Sequence, residues 1–202
     1  MCSRNTIPLI GSERLQENEI TGSVRQWVET VVVNMNLCPF AKRELLKERV
    51  RFVVTEAITE EQLLLSLKSE LEYLDGEPSV ETTLLIHPHV LQDFDDYNQF
   101  LSYADSLLME LKMEGIYQVA SFHPHYQFEG TDVDDVENYT NRSPYPLLHI
   151  LREASLERVI AETADVAQIP ARNIELMNSL GRDKLAALMQ ACFNADAPTD
   201  PA

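Results

Sequence analysis

Two segments of this chain end in the same way, and that likeness limits the folds open to it. One reads LLIHPHV and closes on His87-Pro88-His89; the other reads ASFHPHY and closes on His123-Pro124-His125. Each is a short apolar run of strand type, stopped by a proline that cannot donate to a ladder. Between them Asp93 can cap a long helix that Gly115 ends. Before them, VRFVVT at 50–55 reads as another strand. Thr59 and Gln62 then form a capping box that opens a helix to about Leu74. Strand, helix, strand, helix, strand is the order that parallel strands with helical crossovers require. The chain is therefore expected to be α/β, with a small, largely parallel sheet of three to four strands flanked by helices.

The flanks complete this reading. Trp27, Val28, Val31, Val32 and Met35 recur at helical spacing, so 23–36 is expected as an amphipathic helix, and Pro39 can start a short helix to about Lys47. Beyond Thr131 the pattern reads as helical, with Ser143-Pro144 as a cap and Ser155, Pro170 and Gly181 as punctuation. Residues 1–20 are expected as a flexible arm, 21–194 as one α/β domain with a helical C-terminal third, and 195–202 as a disordered tail. A length of 202 residues with 45% hydrophobic content suits one full-sized core.

Charge and cysteine usage narrow the function classes. The net charge of −17 opposes phosphate backbones and anionic membrane surfaces, so neither nucleic acid nor membrane is an expected partner. From Glu70 to Glu137 the only lysine or arginine is Lys112, so this acidic stretch is a candidate face for a protein partner. Lys42, Arg43, Lys47, Arg49 and Arg51 gather in a cluster that reads as a solvated face. Three cysteines, Cys2, Cys38 and Cys192, make no disulfide framework and fit a reducing cytoplasmic setting. No segment reads as a signal peptide or a membrane span.

In a parallel sheet His87 and His123 would lie on one carboxyl edge, where open α/β sheets place ligands. Two imidazoles there suit acid–base work or metal ligation; alternatively, histidine is merely polar enough for a strand end. Cys38 precedes a proline-started helix, whose free N–H groups favour thiolate, and a short helix leading into the first strand would carry it toward both histidines. Its alternative is an inert space-filling thiol. Together Cys38, His87 and His123 form a candidate ligand set that would suit zinc or ferrous iron, with hydrolysis as the default reaction.

The stretch from Tyr126 to Glu153 is dense in groups that bind polar ligands. Asn138, Asn141, Arg142, Ser143 and Arg152 are candidate contacts for a small polar or anionic molecule, and Tyr126 and His149 are further catalytic candidates. Arg142 either clamps an anion or pairs with Asp132, Asp134 or Asp135. On a helix, His149 and Arg152 would share a face, with Glu153 placed to orient the imidazole. The acidic run from Asp132 to Glu137 lacks the spacing and glycine of a calcium loop.

The segments NLCPFA, TTLLIHP, DFDDYNQFL, QVASFHPHYQFEGT and NYTNRSPYPLLHILREAS together resemble the bacterial domain-of-unknown-function 1415 family over about residues 23–160. That resemblance implies a compact cytoplasmic protein and brings no activity with it. Its pattern takes in His87 and His123 but not His89 and His125. The functional expectation is thus an enzyme on a small polar or anionic metabolite at a Cys/His/Arg site. Its rivals are a non-catalytic acidic interaction module and a single-cysteine thioredoxin-like redox protein. The last rests on Cys-Pro-Phe-Ala, which lacks the second cysteine and a preceding strand.

Overall fold

A computed structural model describes residues 10–162 and 166–194. The tail expected at 195–202 and the first nine residues of the expected arm lie outside the described residues. Helix α1 spans Ile10–Trp27, so residues 10–20 are helical, and it runs directly into a π-helical stretch at Val28–Val33. There the Leu37 N–H reaches the Val32 carbonyl at 2.9 Å, five residues back. Helix α2 is short, Ala41–Leu46, and leads into strand β1, Val50–Val54. Helix α3 (Glu60–Gly76), β2 (Thr82–Ile86), α4 (Phe94–Glu110) and β3 (Tyr117–Phe122) follow in the expected order.

The caps behave as their chemistry requires. Thr59 Oγ1 accepts the Gln62 N–H at 3.3 Å, and Gln62 Oε1 accepts the Ile58 N–H at 2.9 Å, so the box closes one residue early. Asp93 Oδ1 accepts the N–H groups of Asp95 and Asp96, satisfying two donors that a helix start leaves free. On α3, Leu63, Leu67, Leu71 and Leu74 fall on one stripe and are fully buried. Each contributes roughly 1.5–3 kcal/mol of transfer free energy.

Residues 147–152 correct the sequence reading. Leu147–Arg152 is strand β4, not a helix, and it is inserted between β2 and β3. The sheet order is β1-β2-β4-β3. Only β1–β2 pairs in parallel; β2–β4 and β4–β3 are antiparallel. The α/β class holds, but the sheet is mostly antiparallel. Helices α5 (Glu153–Glu162), α6 (Ile169–Leu180) and α7 (Arg182–Ala191) then complete the chain's helical end. Gly181 joins the last two at φ 76°, ψ 161°, a conformation open essentially to glycine alone.

Three layers result. Helices α3 and α4 cover the front face, meeting Leu85, Leu148, Ile150 and Tyr117. Helices α1, α6 and α7 and the π-helical stretch cover the back face, meeting Leu84, Ile86 and Leu147. Because strand residues alternate faces, this division fixes where each candidate side chain goes. No described helix is long and apolar enough to cross a membrane.

Candidate functional site

Each of β2 and β3 runs antiparallel to β4, so the two run the same way and their ends share one edge. His87 and His123 are therefore neighbours, through an intervening strand rather than by direct parallel pairing. Both are fully buried on the front face. His87 Nδ1 lies 3.0 Å from the Val90 carbonyl, which can only accept, so Nδ1 carries the proton. His123 Nδ1 accepts the His125 N–H at 3.0 Å, so its proton sits on Nε2, 3.2 Å from the Leu91 carbonyl. Burial pulls both imidazoles down to about 4, and both are neutral at pH 7. Tyr97 packs against each ring, at 5.7 and 5.1 Å between centroids. Its hydroxyl donates to the Leu147 carbonyl and accepts the Phe122 N–H. The two histidines thus anchor the loop after β2, including Leu91 at φ 55°. Their one free polar atom is His87 Nε2, buried and without a partner among the described residues.

The polar stretch after β3 is also internally satisfied. Asn138 is fully buried; its Oδ1 accepts the Phe128 N–H at 3.0 Å and its Nδ2 donates to the Asp132 carbonyl at 2.9 Å. Asn141 donates to the Ser121 carbonyl, and Ser143 donates to the Tyr145 carbonyl. Arg142 takes neither expected role. It donates to the carbonyls of Tyr126 and Val133, at 3.3 and 2.7 Å, and its guanidinium lies 4.6 Å from the Tyr139 ring centre. Asp134 pairs instead with Arg182, at 2.7 Å. Tyr126 packs on Phe94 and Phe128. These groups lock a loop, and Arg142 is engaged with its backbone carbonyls rather than with a carboxylate.

Strand geometry separates His149 from Arg152. Three residues apart on a helix they would share a face; on β4 they point to opposite faces. Arg152 reaches across the front to the Tyr117 hydroxyl and to the carbonyls of Leu74 and Val80, where a cation caps the C-terminus of α3. His149 faces the back layer, and so does Cys38. The candidate metal set is therefore divided by the sheet, with Cys38 behind it and His87 and His123 in front. Among the described residues no group of three or more His, Cys, Asp or Glu is placed to hold a metal ion.

Cys38 and His149 meet a feature the sequence did not announce, a cavity of about 240 Å³ between the back of the sheet and the Trp27–Ala41 segment. Trp27, Val28, Phe40, Leu84, Phe122 and Leu151 are among the apolar residues of its wall. The π-helical widening carries Val28 and Val32 to the wall, and such widenings recur at functional sites. Room exists because Ala120, directly opposite His149 on β3, is small. Trp27 meets Phe122 edge-on at 5.3 Å.

The polar groups of this cavity have defined states. Thr82 Oγ1 donates its single proton to the Ile150 carbonyl at 2.6 Å. The 2.8 Å contact between Thr82 Oγ1 and His149 Nε2 must then be donated by the imidazole. His149 consequently carries its proton on Nε2 and a lone pair on Nδ1. Burial pulls it down to about 4, so it too is neutral. Burial also raises the Cys38 thiol, outweighing the Phe40 and Ala41 N–H groups that pull the other way. The expected thiolate is thus corrected to a thiol. The segment before Cys38 is helical, which removes the thioredoxin-like arrangement.

The three arginines of the basic cluster have carboxylate partners, two of them at one end of the cavity, while Lys42 and Lys47 are exposed. Arg43 and Arg49 flank Glu44, itself 4% exposed, at 2.6 and 3.2 Å, and Arg49 pairs with Glu81 Oε2 at 2.6 Å. Arg51 pairs separately with buried Glu70. Two fully buried polar atoms on residues of the cavity wall have no partner among the described residues: Trp27 Nε1 and Glu81 Oε1. Sequence reasoning passed over Trp27, Thr82, Glu44 and Glu81. Trp27 was legible only as a core residue, and the signal that marks the cavity is Ala120 amid larger strand residues.

Comparison with known proteins finds one family. The model described as "Protein of unknown function (DUF1415)" matches residues 19–187, a stretch that includes the whole cavity wall. No curated protein and no solved structure matches the chain.

Proposed function

The chain belongs to the DUF1415 family, and from that premise we propose that it binds a small, largely apolar molecule in the cavity behind the sheet. One observation carries this reading. A partly open cavity of about 240 Å³, lined almost wholly by apolar surface, lies between the sheet and the helical layer behind it. At roughly 25 cal/mol per Å² of apolar surface removed from water, a small apolar molecule seated there would gain a few kcal/mol. A dry cavity of about 150 Å³ already admits benzene. The ligand is therefore about the size of one substituted ring or a short branched chain. This replaces the polar or anionic metabolite expected from Arg142 and Arg152, whose guanidinium groups are spent on backbone carbonyls.

Thermal denaturation of the full chain with toluene, phenol or indole tests the proposal. A ligand at about 100 times its Kd stabilises by about 2.7 kcal/mol, which raises Tm by roughly 5–10 °C in a chain of this size. Ala120→Leu fills the void, and its Tm is expected not to respond to the same probes. If no probe shifts the wild-type Tm, the cavity is not a binding site.

A further inference from the structure

We propose that two copies of this chain join edge to edge through β1, continuing their four-stranded sheets into one. The sheet has two outer edges, and the chain treats them differently. On β3 the Ile116 carbonyl accepts the Glu153 N–H, so even-numbered residues face β4, and Tyr117, Val119 and Ser121 turn their backbone groups outward. That edge is partly closed from within. The Tyr117 N–H donates to the Met113 carbonyl at 3.0 Å, the Ser121 carbonyl accepts Asn141 Nδ2 at 3.1 Å, and Tyr117 itself is buried.

The edge of β1 is left open. The Thr55 N–H donates to the Ile86 carbonyl and the Arg49 carbonyl accepts the Thr82 N–H, so odd-numbered residues face β2. Val50, Phe52 and Val54 therefore point their N–H and C=O groups away from the sheet, and these have no partner among the described residues. Every residue of the strand keeps accessible surface. Open edges are normally blunted by a proline, a bulge or a charge standing off the strand. This strand has no proline, and its one charge is drawn aside: Arg51 bonds Glu70 at 2.9 Å and lies 4.3 Å over the Tyr73 ring.

The occupant is a second copy, because the open groups complement themselves. A two-fold axis at Phe52 runs the two strands antiparallel. It sets Phe52 against the partner's Phe52 and Val50 against the partner's Val54, and gives every outward donor an acceptor. Val50, Phe52 and Val54 all lie on the back face, so the new cross-strand pairs there are apolar. Charge points the same way. A chain of net charge −17 resists its own copy, and β3 lies in the stretch where Lys112 is the only lysine or arginine. Beside β1 stand Arg25, 4.4 Å over the Phe52 ring, and Lys47 and Arg49, which lead into the strand. With one edge used per copy, the assembly closes as a dimer rather than growing into a filament.

Sedimentation equilibrium of the full chain over a dilution series, with NMR amide exchange at both ends of the series, tests this. A mass of twice 23.0 kDa is expected at high concentration. There the amides of Val50, Phe52 and Val54 should exchange at least roughly tenfold more slowly than in the diluted monomer, while those of Arg51 and Val53, which face β2, should not change. Val54→Pro removes an outward N–H and no bond inside the chain, so it should stay monomeric with an unchanged circular dichroism spectrum. A monomer at every concentration overturns the proposal. So does a dimer in which those three amides stay unprotected, or a folded Val54→Pro that still dimerises. The alternating protection decides the matter in the wild type even where the variant does not fold.

Discussion

Acidification should unfold this protein through its buried histidines, and His87 shows by how much. Its ordinary value is 6.5 and burial holds it at about 4 in the folded chain. The folded state is the one with the lower value, so between pH 6.5 and 4 the unfolded chain binds more protons. The stabilisation is complete above pH 6.5 and is lost as pH falls toward 4. A shift of that size amounts to about 3 kcal/mol, of which about 2 kcal/mol is gone by pH 5. The structural cause is plain. A second proton would go to Nε2, which is buried and has no acceptor among the described residues, while the ring lies against Tyr97. Against a total stability of roughly 5–15 kcal/mol, a loss of 2 kcal/mol is large, corresponding to roughly 4–8 °C in Tm. Urea denaturation from pH 7 to pH 5 measures the loss. Comparison with His87→Phe, which keeps a ring against Tyr97 but cannot titrate, isolates the share of His87. The wild type should take up about 0.9 proton more than the variant on unfolding near pH 5.2. NMR titration of the imidazole checks the origin. A His87 ring that titrates near 6.5 in the folded protein would refute the reasoning.

Further outcomes follow from other contacts. Asn138→Ala leaves the Phe128 N–H and the Asp132 carbonyl without their partner, and chemical denaturation should show a loss of about 2–4 kcal/mol. Arg142→Lys cannot fork to two carbonyls; it should lose about 1 kcal/mol in the same assay while leaving the affinity for cavity probes unchanged, because Arg142 lies in the loop lock. Cys38, with its thiol raised by burial, should react slowly with iodoacetamide at pH 8, accelerate only as pH passes 9, and be shielded by a bound probe. Fast alkylation at pH 7 would show a thiolate and return Cys38 to the nucleophiles.

The parts of the fold that local chemistry decides were legible. Thr59 and Asp93 mark helix starts because their side chains satisfy free N–H groups, and the structure uses both. Strands β1 to β3 were legible as short apolar runs. Strand β4 was not, because Leu147 and Leu148 are both buried, one on each face of the sheet. A strand buried on both sides loses the alternation by which strands are recognised. That single misreading propagated. It made the sheet largely parallel, put His149 and Arg152 on one helix face, and hid the strand that carries His149 to the cavity. The edge position of His87 and His123 survived because two antiparallel pairings restore the common direction. The cavity itself was illegible for another reason: it is an absence of atoms, produced where Ala120 on β3 and the distant Trp27–Ala41 segment fail to fill the same space.

The place of β4 has a consequence for how the chain is made. During synthesis β1, β2 and β3 leave the ribosome long before residues 147–152, yet β2 and β3 have no partner in common until then. For that interval Thr82–Ile86, buried along its whole length in the finished sheet, keeps one hydrogen-bonding edge open. An apolar strand with an unpaired edge is a template for joining other chains. A nascent chain stalled before Leu147 is therefore the species most prone to aggregate, and arrival of the last strand closes the sheet and ends that exposure in one step.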